Sequence, residues 1–156
     1  IIKNNGLKFK YTIIGTGDDW ERLHYARSQL DLDNEIQFTG RIDHNKISDY
    51  YKQNDIYIQH SIQEGFCNAV IEAQASGMIC IVSDASGLAE NVLDKQTGFV
   101  IKRRNENEIV DVVQEIVSSP ISVIEKISFN AMERAIHNFD LKKQKDDFAD
   151  FFKINV

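Results

Sequence analysis

One proline and two cysteines in 156 residues set the first limits on this chain. A single proline, Pro120, rules out proline-rich linkers, and no glycine/serine tract, repeat or low-complexity segment divides the sequence. Two cysteines, Cys67 and Cys80, cannot build a disulfide framework, and neither has a histidine at metal-ligand spacing. Free thiols in a reducing compartment are the expectation. His24, His44, His60 and His137 are scattered, so no metal site is expected; only His60 falls beside a candidate site. Positive charge is also short. A formal charge of -6 excludes a surface made for phosphate backbones, so no nucleic-acid partner is expected, and Lys102, Arg103 and Arg104 read as a solvated loop. No apolar run reaches membrane length, and the opening "IIKNNGLKFKYTIIG" has no secretory pattern, which points to a cytoplasmic protein.

What is present is ordinary for a soluble domain: 42% hydrophobic and 27% charged residues, in a length that suits one core. A single domain over 1–156 is expected. "KYTIIG" is β-branched and aromatic, stops at Gly15-Thr16-Gly17, and gives way to Leu23, Ala26 and Leu30 at helical spacing behind a cap at Asp18. Strand and helix then alternate through "EIQFTG", a helix capped near Asp43, "DIYIQHS", "CNAVIEAQASG" closed by Gly77, "MICIVSD", a short helix near 88–93, and "GFVIK". The near-continuous apolar run of "MICIVSD" suits a strand covered on both faces. The fold class is therefore α/β, a Rossmann-like parallel sheet with flanking helices. Helices are expected at 106–118, 122–138 and 141–153.

Ligands of open parallel sheets bind at the carboxyl ends of strands, next to helix N-termini. Gly15 and Gly17 allow close backbone approach, but the third glycine of a dinucleotide fingerprint is missing, and Asp18 and Asp19 would repel a pyrophosphate. Gly40, Arg41 and Ile42 end a second strand, where a turn capped by Asp43 is the competing account. The most informative strand end is 61–68. A helix beginning near Cys67 or Asn68 would turn its unpaired N–H groups and positive dipole end outward, as an anion requires. Glu64 would then precede this helix and Glu72 lie about one turn inside it. The two are too far around a helix to act as a carboxylate pair, but each can accept from vicinal hydroxyls of a sugar or ribose. Glu90 and Asn91 read as capping or solvating a short helix, and Trp20, Tyr25, Tyr50 and Tyr51 as packing positions.

"EGFCNAVIEAQASG" resembles the E-x7-E signature of retaining, nucleotide-sugar-dependent glycosyltransferases of the GT-B fold, the group 1 (family four) enzymes. The likeness runs in order from "YTIIGTGDDWERL" through "IQFTGRI" and "CIVSDASGLAENV" to "TGFVI". It implies that Glu64 is the catalytic-site acid facing the donor sugar, and that Gly65, Phe66, Cys67 and Asn68, with Ala69 in the same stretch, bring backbone donors to sugar and diphosphate. It gives Glu72 the ribose hydroxyls, and places the nucleobase by Gly40, Arg41 and Ile42 with Gly15 and Gly17 nearby. It implies no metal and no cofactor, the donor being a nucleotide-diphosphate sugar of UDP or GDP type. The acceptor, a glycan or lipid-linked saccharide of cell-surface polysaccharide synthesis, would be held by a preceding domain.

Cys67 departs from the family's usual glycine, which narrows the donor site without removing the backbone N–H. The strand and basic residues that the family places before "KYTIIG" are not found, so the chain is expected to be the donor-binding half of a longer enzyme, inactive alone. That strand would be central in the order 3-2-1-4-5-6. Its absence predicts exposed strand edges and association through them. The resemblance also allows peripheral attachment of the intact enzyme to the cytosolic face of a membrane. A non-catalytic nucleotide-sugar-binding module, or half of a GT-B epimerase, remain open as alternatives.

Overall fold

The structure is a computed structural model that describes residues 1–140, 145, 149 and 150. Strand and helix alternate as read: β1 (Tyr11–Ile14), α1 (Trp20–Gln29), β2 (Ile36–Gly40), α2 (His44–Lys52), β3 (Ile56–Gln59), α3 (Asn68–Ala75), β4 (Ile79–Ser83), α4 (Leu88–Asn91) and β5 (Phe99–Ile101), then α5 (Glu106–Ser118) and α6 (Ile121–Asn138). The helix expected at 141–153 falls almost wholly outside the described residues. All the ladders are parallel, as the α/β reading requires.

The chain forms two compact units, Ile1–Ile47 and the residues from Ser48 onward, with α2 crossing the boundary. The parallel sheet is correspondingly two: β1-β2 in the first unit and β3-β4-β5 in the second. β1 and β3 each have one pairing partner among the described residues, β2 and β4 respectively.

In the second unit the core forms around β4, whose five residues are all buried. Val70 and Ala73 of α3 and Ala131 of α6 have no exposure at all, and Ile127 and Ala135 complete the buried stripe of α6. Their 3–4-residue spacing is the helical period that lets one face turn inward. Cys80 lies inside this core as a free thiol, and burial raises its pKa far above the ordinary range. The first unit has no such layer. Its packing is an aromatic cluster in which Trp20 and His24 meet Phe38 at ring centroid distances of 5.4 and 4.3 Å, with the Arg27 guanidinium 5.5 Å from the Phe38 ring.

Several boundaries shift for local reasons. The cap expected at Asp18 falls at Asp19, whose carboxylate makes no cap bond and sits 3.5 Å from Arg22 instead. α4 stops at Asn91, short of 93, because Val92 is extended and the Leu93 amide donates to Thr97 Oγ1 at 2.9 Å. α6 starts one residue early, directly after Pro120 at its N-cap.

Candidate functional site

In the first unit the two glycine turns meet. The Gly15 amide donates to the Gly40 carbonyl at 2.9 Å, which brings the carboxyl ends of β1 and β2 together. Both residues have positive φ, 123° and 71°, conformations that a side chain would strain. Gly17, Arg41 and Ile42 follow these ends; Gly17 and Arg41 are exposed and Ile42 half-buried. A cleft of about 510 Å³ in the same unit lies at the opposite, amino end of the strands, lined by Tyr11 and Ile36 among others.

In the second unit the 64–72 segment forms one continuous constellation. β3 ends at Gln59 and the chain enters a loop held on β4: the Ser61 amide donates to Ser83 Oγ at 3.1 Å, and Ser83 Oγ donates to the Ser61 carbonyl at 2.5 Å. Along the same strand end, Tyr57 donates to Gln59, Gln59 Nε2 donates to Ser61 Oγ, and Ser61 Oγ donates to Glu64 Oε2, at 2.8, 2.9 and 3.2 Å. This relay orients the half-buried Glu64 carboxylate from one side and leaves its other oxygen available.

α3 begins at Asn68 with Cys67 at its N-cap in an extended conformation, and no side chain caps it. A helix start ordinarily has Ser, Thr, Asp or Asn there to satisfy one of the first N–H groups. Here the amides of Gly65, Phe66, Asn68 and Ala69 have no hydrogen-bond acceptor among the described residues. The Cys67 amide differs. It donates to Asn91 Oδ1 at 3.1 Å, so the backbone donor expected there for a ligand is already engaged inside the protein.

Glu72 lies one turn into α3, as expected, and accepts from the Tyr51 hydroxyl at 3.3 Å. Burial, then the nearby Glu72 carboxylate, drives the Tyr51 pKa well above its ordinary value, so the phenol is a fixed donor. One carboxylate thus precedes a helix N-terminus that carries unsatisfied N–H groups, and the other lies one turn inside the same helix. Such an arrangement can take an anion at the helix start and hydroxyl groups at either acid.

Residues that the sequence reading left out hold this loop. The Gly87 amide donates to the Glu64 carbonyl at 3.2 Å, and a Cβ on Gly87 would lie 1.9 Å from the Gly65 carbonyl oxygen. Arg103, read as a solvated loop residue, binds Asp84 through its amide and Nε at 2.9 and 3.2 Å and donates to the Ile62 carbonyl at 3.4 Å. That contact holds the Asp84 carboxyl below the usual carboxylate range. Phe66, 46% exposed, packs on Phe139 with ring centroids 5.3 Å apart. The only legible hint was the position of "SDASGLAEN" after the buried strand, at another carboxyl strand end. His60, the one histidine singled out, has its Nε2 buried without a partner among the described residues.

The family model for glycosyl transferases group 1 matches residues 1–136. An uncharacterized glycosyltransferase of Haemophilus influenzae is 31% identical over 109 residues, covering 69% of this chain and 30% of that protein. The Escherichia coli UDP-Gal:alpha-D-GlcNAc-diphosphoundecaprenol alpha-1,3-galactosyltransferase is 25% identical over 154 residues, covering 97% of this chain and 39% of that one. The chain thus spans roughly a third of the length of these curated relatives. Among solved structures, Anabaena HepE in complex with UDP-glucose superposes with a TM-score of 0.84 at 21% identity, over 92% of this chain and 40% of that one. The C-terminal domain of a group 1 family protein of Francisella tularensis gives 0.73 at 22% identity, over 89% of this chain and 91% of that domain. These likenesses share the fold, a GT-B C-terminal domain. With a family model matched over most of its length, this chain belongs to the glycosyl transferases group 1 family.

Proposed function

We propose that this chain is the donor-binding domain of a retaining glycosyltransferase, taking a nucleotide-diphosphate sugar of UDP or GDP type for transfer to a glycan or lipid-linked acceptor held elsewhere in the longer enzyme. The observation that carries the reading is the uncapped start of α3, with four unsatisfied amides lying between Glu64 and Glu72. Two relatives fit it: the printed activity of the E. coli relative uses a UDP sugar and a lipid-linked acceptor, and HepE was solved with UDP-glucose.

In this reading the diphosphate sits on the α3 N-terminus. When the bond from the anomeric carbon to the diphosphate oxygen breaks, its electron pair leaves with the diphosphate, while an acceptor hydroxyl oxygen bonds to that carbon and its proton passes to the departing diphosphate. The N–H groups and helix dipole stabilise the charge that develops there without having to reorient. Glu64, oriented by Ser61, accepts from the donor sugar hydroxyls, and Glu72, oriented by Tyr51, accepts from the ribose. Gly15, Gly17, Gly40, Arg41 and Ile42 are the base-proximal positions. Metal and cofactor play no part in this scheme, and the site belongs on the cytosolic side, where nucleotide sugars are the substrates. No helix among the described residues is long and apolar enough to cross a membrane.

Calorimetric titration with UDP-, GDP- and ADP-sugars tests the reading. One of the first two is expected to bind. Glu72→Ala is expected to weaken it about tenfold or more, the loss of a hydrogen-bonded charged acceptor. If no nucleotide sugar binds and Glu72→Ala changes nothing, the donor-site assignment is wrong. Transfer by the chain alone would overturn its expected inactivity.

A further inference from the structure

We propose that Asn91 is the positioning residue of the 64–68 loop, and thereby of the donor site, a role that rests on the donor-site reading above. Asn91 is the last residue of α4 and has no exposed surface. Its Oδ1 accepts from the Cys67 amide at 3.1 Å. Because a backbone N–H can only donate, the oxygen must face the loop, and Nδ2 is turned away with no acceptor among the described residues. A position selected for packing alone would be apolar, since a buried donor without a partner is unfavourable. The bond to Cys67 is what a polar side chain here supplies.

The rest of the contact follows from how α4 is anchored. This helix is one turn long and ends with free carbonyls. Arg134 of α6 takes two of them, donating from Nη2 to the Glu90 carbonyl at 2.7 Å and from Nη1 to the Asn91 carbonyl at 2.8 Å. Its guanidinium carbon also lies 5.0 Å from the ring centre of Phe139, and Phe139 is the ring on which Phe66 packs. The loop is thus held at adjacent residues: the main chain of Cys67 through Asn91, and the side chain of Phe66 through Phe139. Gly87 at the other end of α4 binds the Glu64 carbonyl. With the Cys67 amide engaged, the amides of Gly65, Phe66, Asn68 and Ala69 are the ones left for a ligand. Asn91 hydrogen-bonds to none of them and acts only through the loop.

Asn91→Leu keeps the branched shape with some added bulk and removes the acceptor, whereas Asn91→Asp keeps the acceptor at the cost of a buried charge. Amide exchange by NMR and calorimetric titration with UDP, run on the 156-residue chain and both variants, separate positioning from packing. The Cys67 amide is expected to be protected in wild type and in Asn91→Asp, and to exchange at least tenfold faster in Asn91→Leu. UDP affinity is expected to fall about tenfold in Asn91→Leu and to stay within about twofold of wild type in Asn91→Asp, although the aspartate variant is the less thermally stable of the two. A purely structural role reverses that order, with binding following stability. Equal Cys67 exchange in wild type and Asn91→Leu overturns the proposal, as does UDP binding as weak in Asn91→Asp as in Asn91→Leu. If wild type fails to bind UDP, the donor-site reading falls, and the exchange arm still decides whether Asn91 fixes the loop.

Discussion

Glu64 and Glu72 are eight positions apart, and the protein orients them by unlike means: Glu64 from a strand-end relay through Ser61, Glu72 from the buried phenol of Tyr51. Neighbouring residues constrain the same loop by size. At Gly87 a methyl group would meet the Gly65 carbonyl oxygen at 1.9 Å and its carbon at 2.2 Å, backbone atoms that cannot rotate aside. Gly87→Ala should therefore push the 64–66 segment away from α4. It is expected to cost about 3 kcal/mol in denaturant unfolding, the upper part of the range for overpacking, and to reduce UDP binding as well. Gly65→Ala is the control, since a Cβ there meets nothing within 4 Å; its stability is expected to stay within about 0.5 kcal/mol of wild type. Equal stabilities for the two variants would show that the loop yields freely. The two acids could be picked out in the sequence through the E-x7-E resemblance and their place before and within one helix. Gly87 and Asn91 could not, because their importance comes from the approach of α4 to a loop more than twenty residues earlier, which no local pattern encodes.

Among the elements, α3 starts without a side-chain cap, as α1, α4, α5 and α6 also do, but it is the one whose start lies between Glu64 and Glu72. Its N-cap residue is a cysteine in the extended conformation that a serine or aspartate would exploit, and the first-turn amides stay unsatisfied. Cys67→Ser supplies a hydroxyl to those amides while leaving the backbone N–H bonded to Asn91. The variant is expected to be more stable by about 1 kcal/mol, the ordinary gain from a cap, and, on the proposed donor site, to bind UDP more weakly because the new oxygen would occupy donors assigned to the diphosphate. Thermal unfolding and calorimetry on one sample check both halves; tighter binding in the serine variant would show that the diphosphate does not use this helix start. At this scale the sequence was most readable. Continuous apolar character identified β4 as covered on both faces, and period 3.6 placed α5 over 106–118 as found. Ends set by tertiary contacts were less so, as where Thr97 draws the Leu93 amide out of α4.

At the scale of the whole molecule, a composition suited to one core conceals an uneven distribution of burial. Among the described residues every buried side chain of the core lies at Tyr51 or later, whereas the first unit has a two-stranded sheet and no buried residue. Tyr25 and Leu30 there are 68% and 65% exposed. A two-stranded sheet is marginal by itself, because each strand satisfies only one edge and too little apolar surface leaves water. The sequence did not disclose this, since β1 carries the same β-branched signature as a central strand, and the pattern reports what a strand can bury and not what covers it. The difference should appear as separate opening equilibria. In native-state amide exchange, the β4 amides are expected to open only with global unfolding, and those of β1 and β2 by local opening at a free energy lower by about 2 kcal/mol or more, a rate difference of at least about thirtyfold. Added denaturant should then accelerate β4 exchange steeply and β1 exchange little, because local opening exposes little surface. One shared exchange free energy across β1 and β4, with one denaturant slope, would mean that the two units unfold together, and that burial counted strand by strand misjudges how this fold is held.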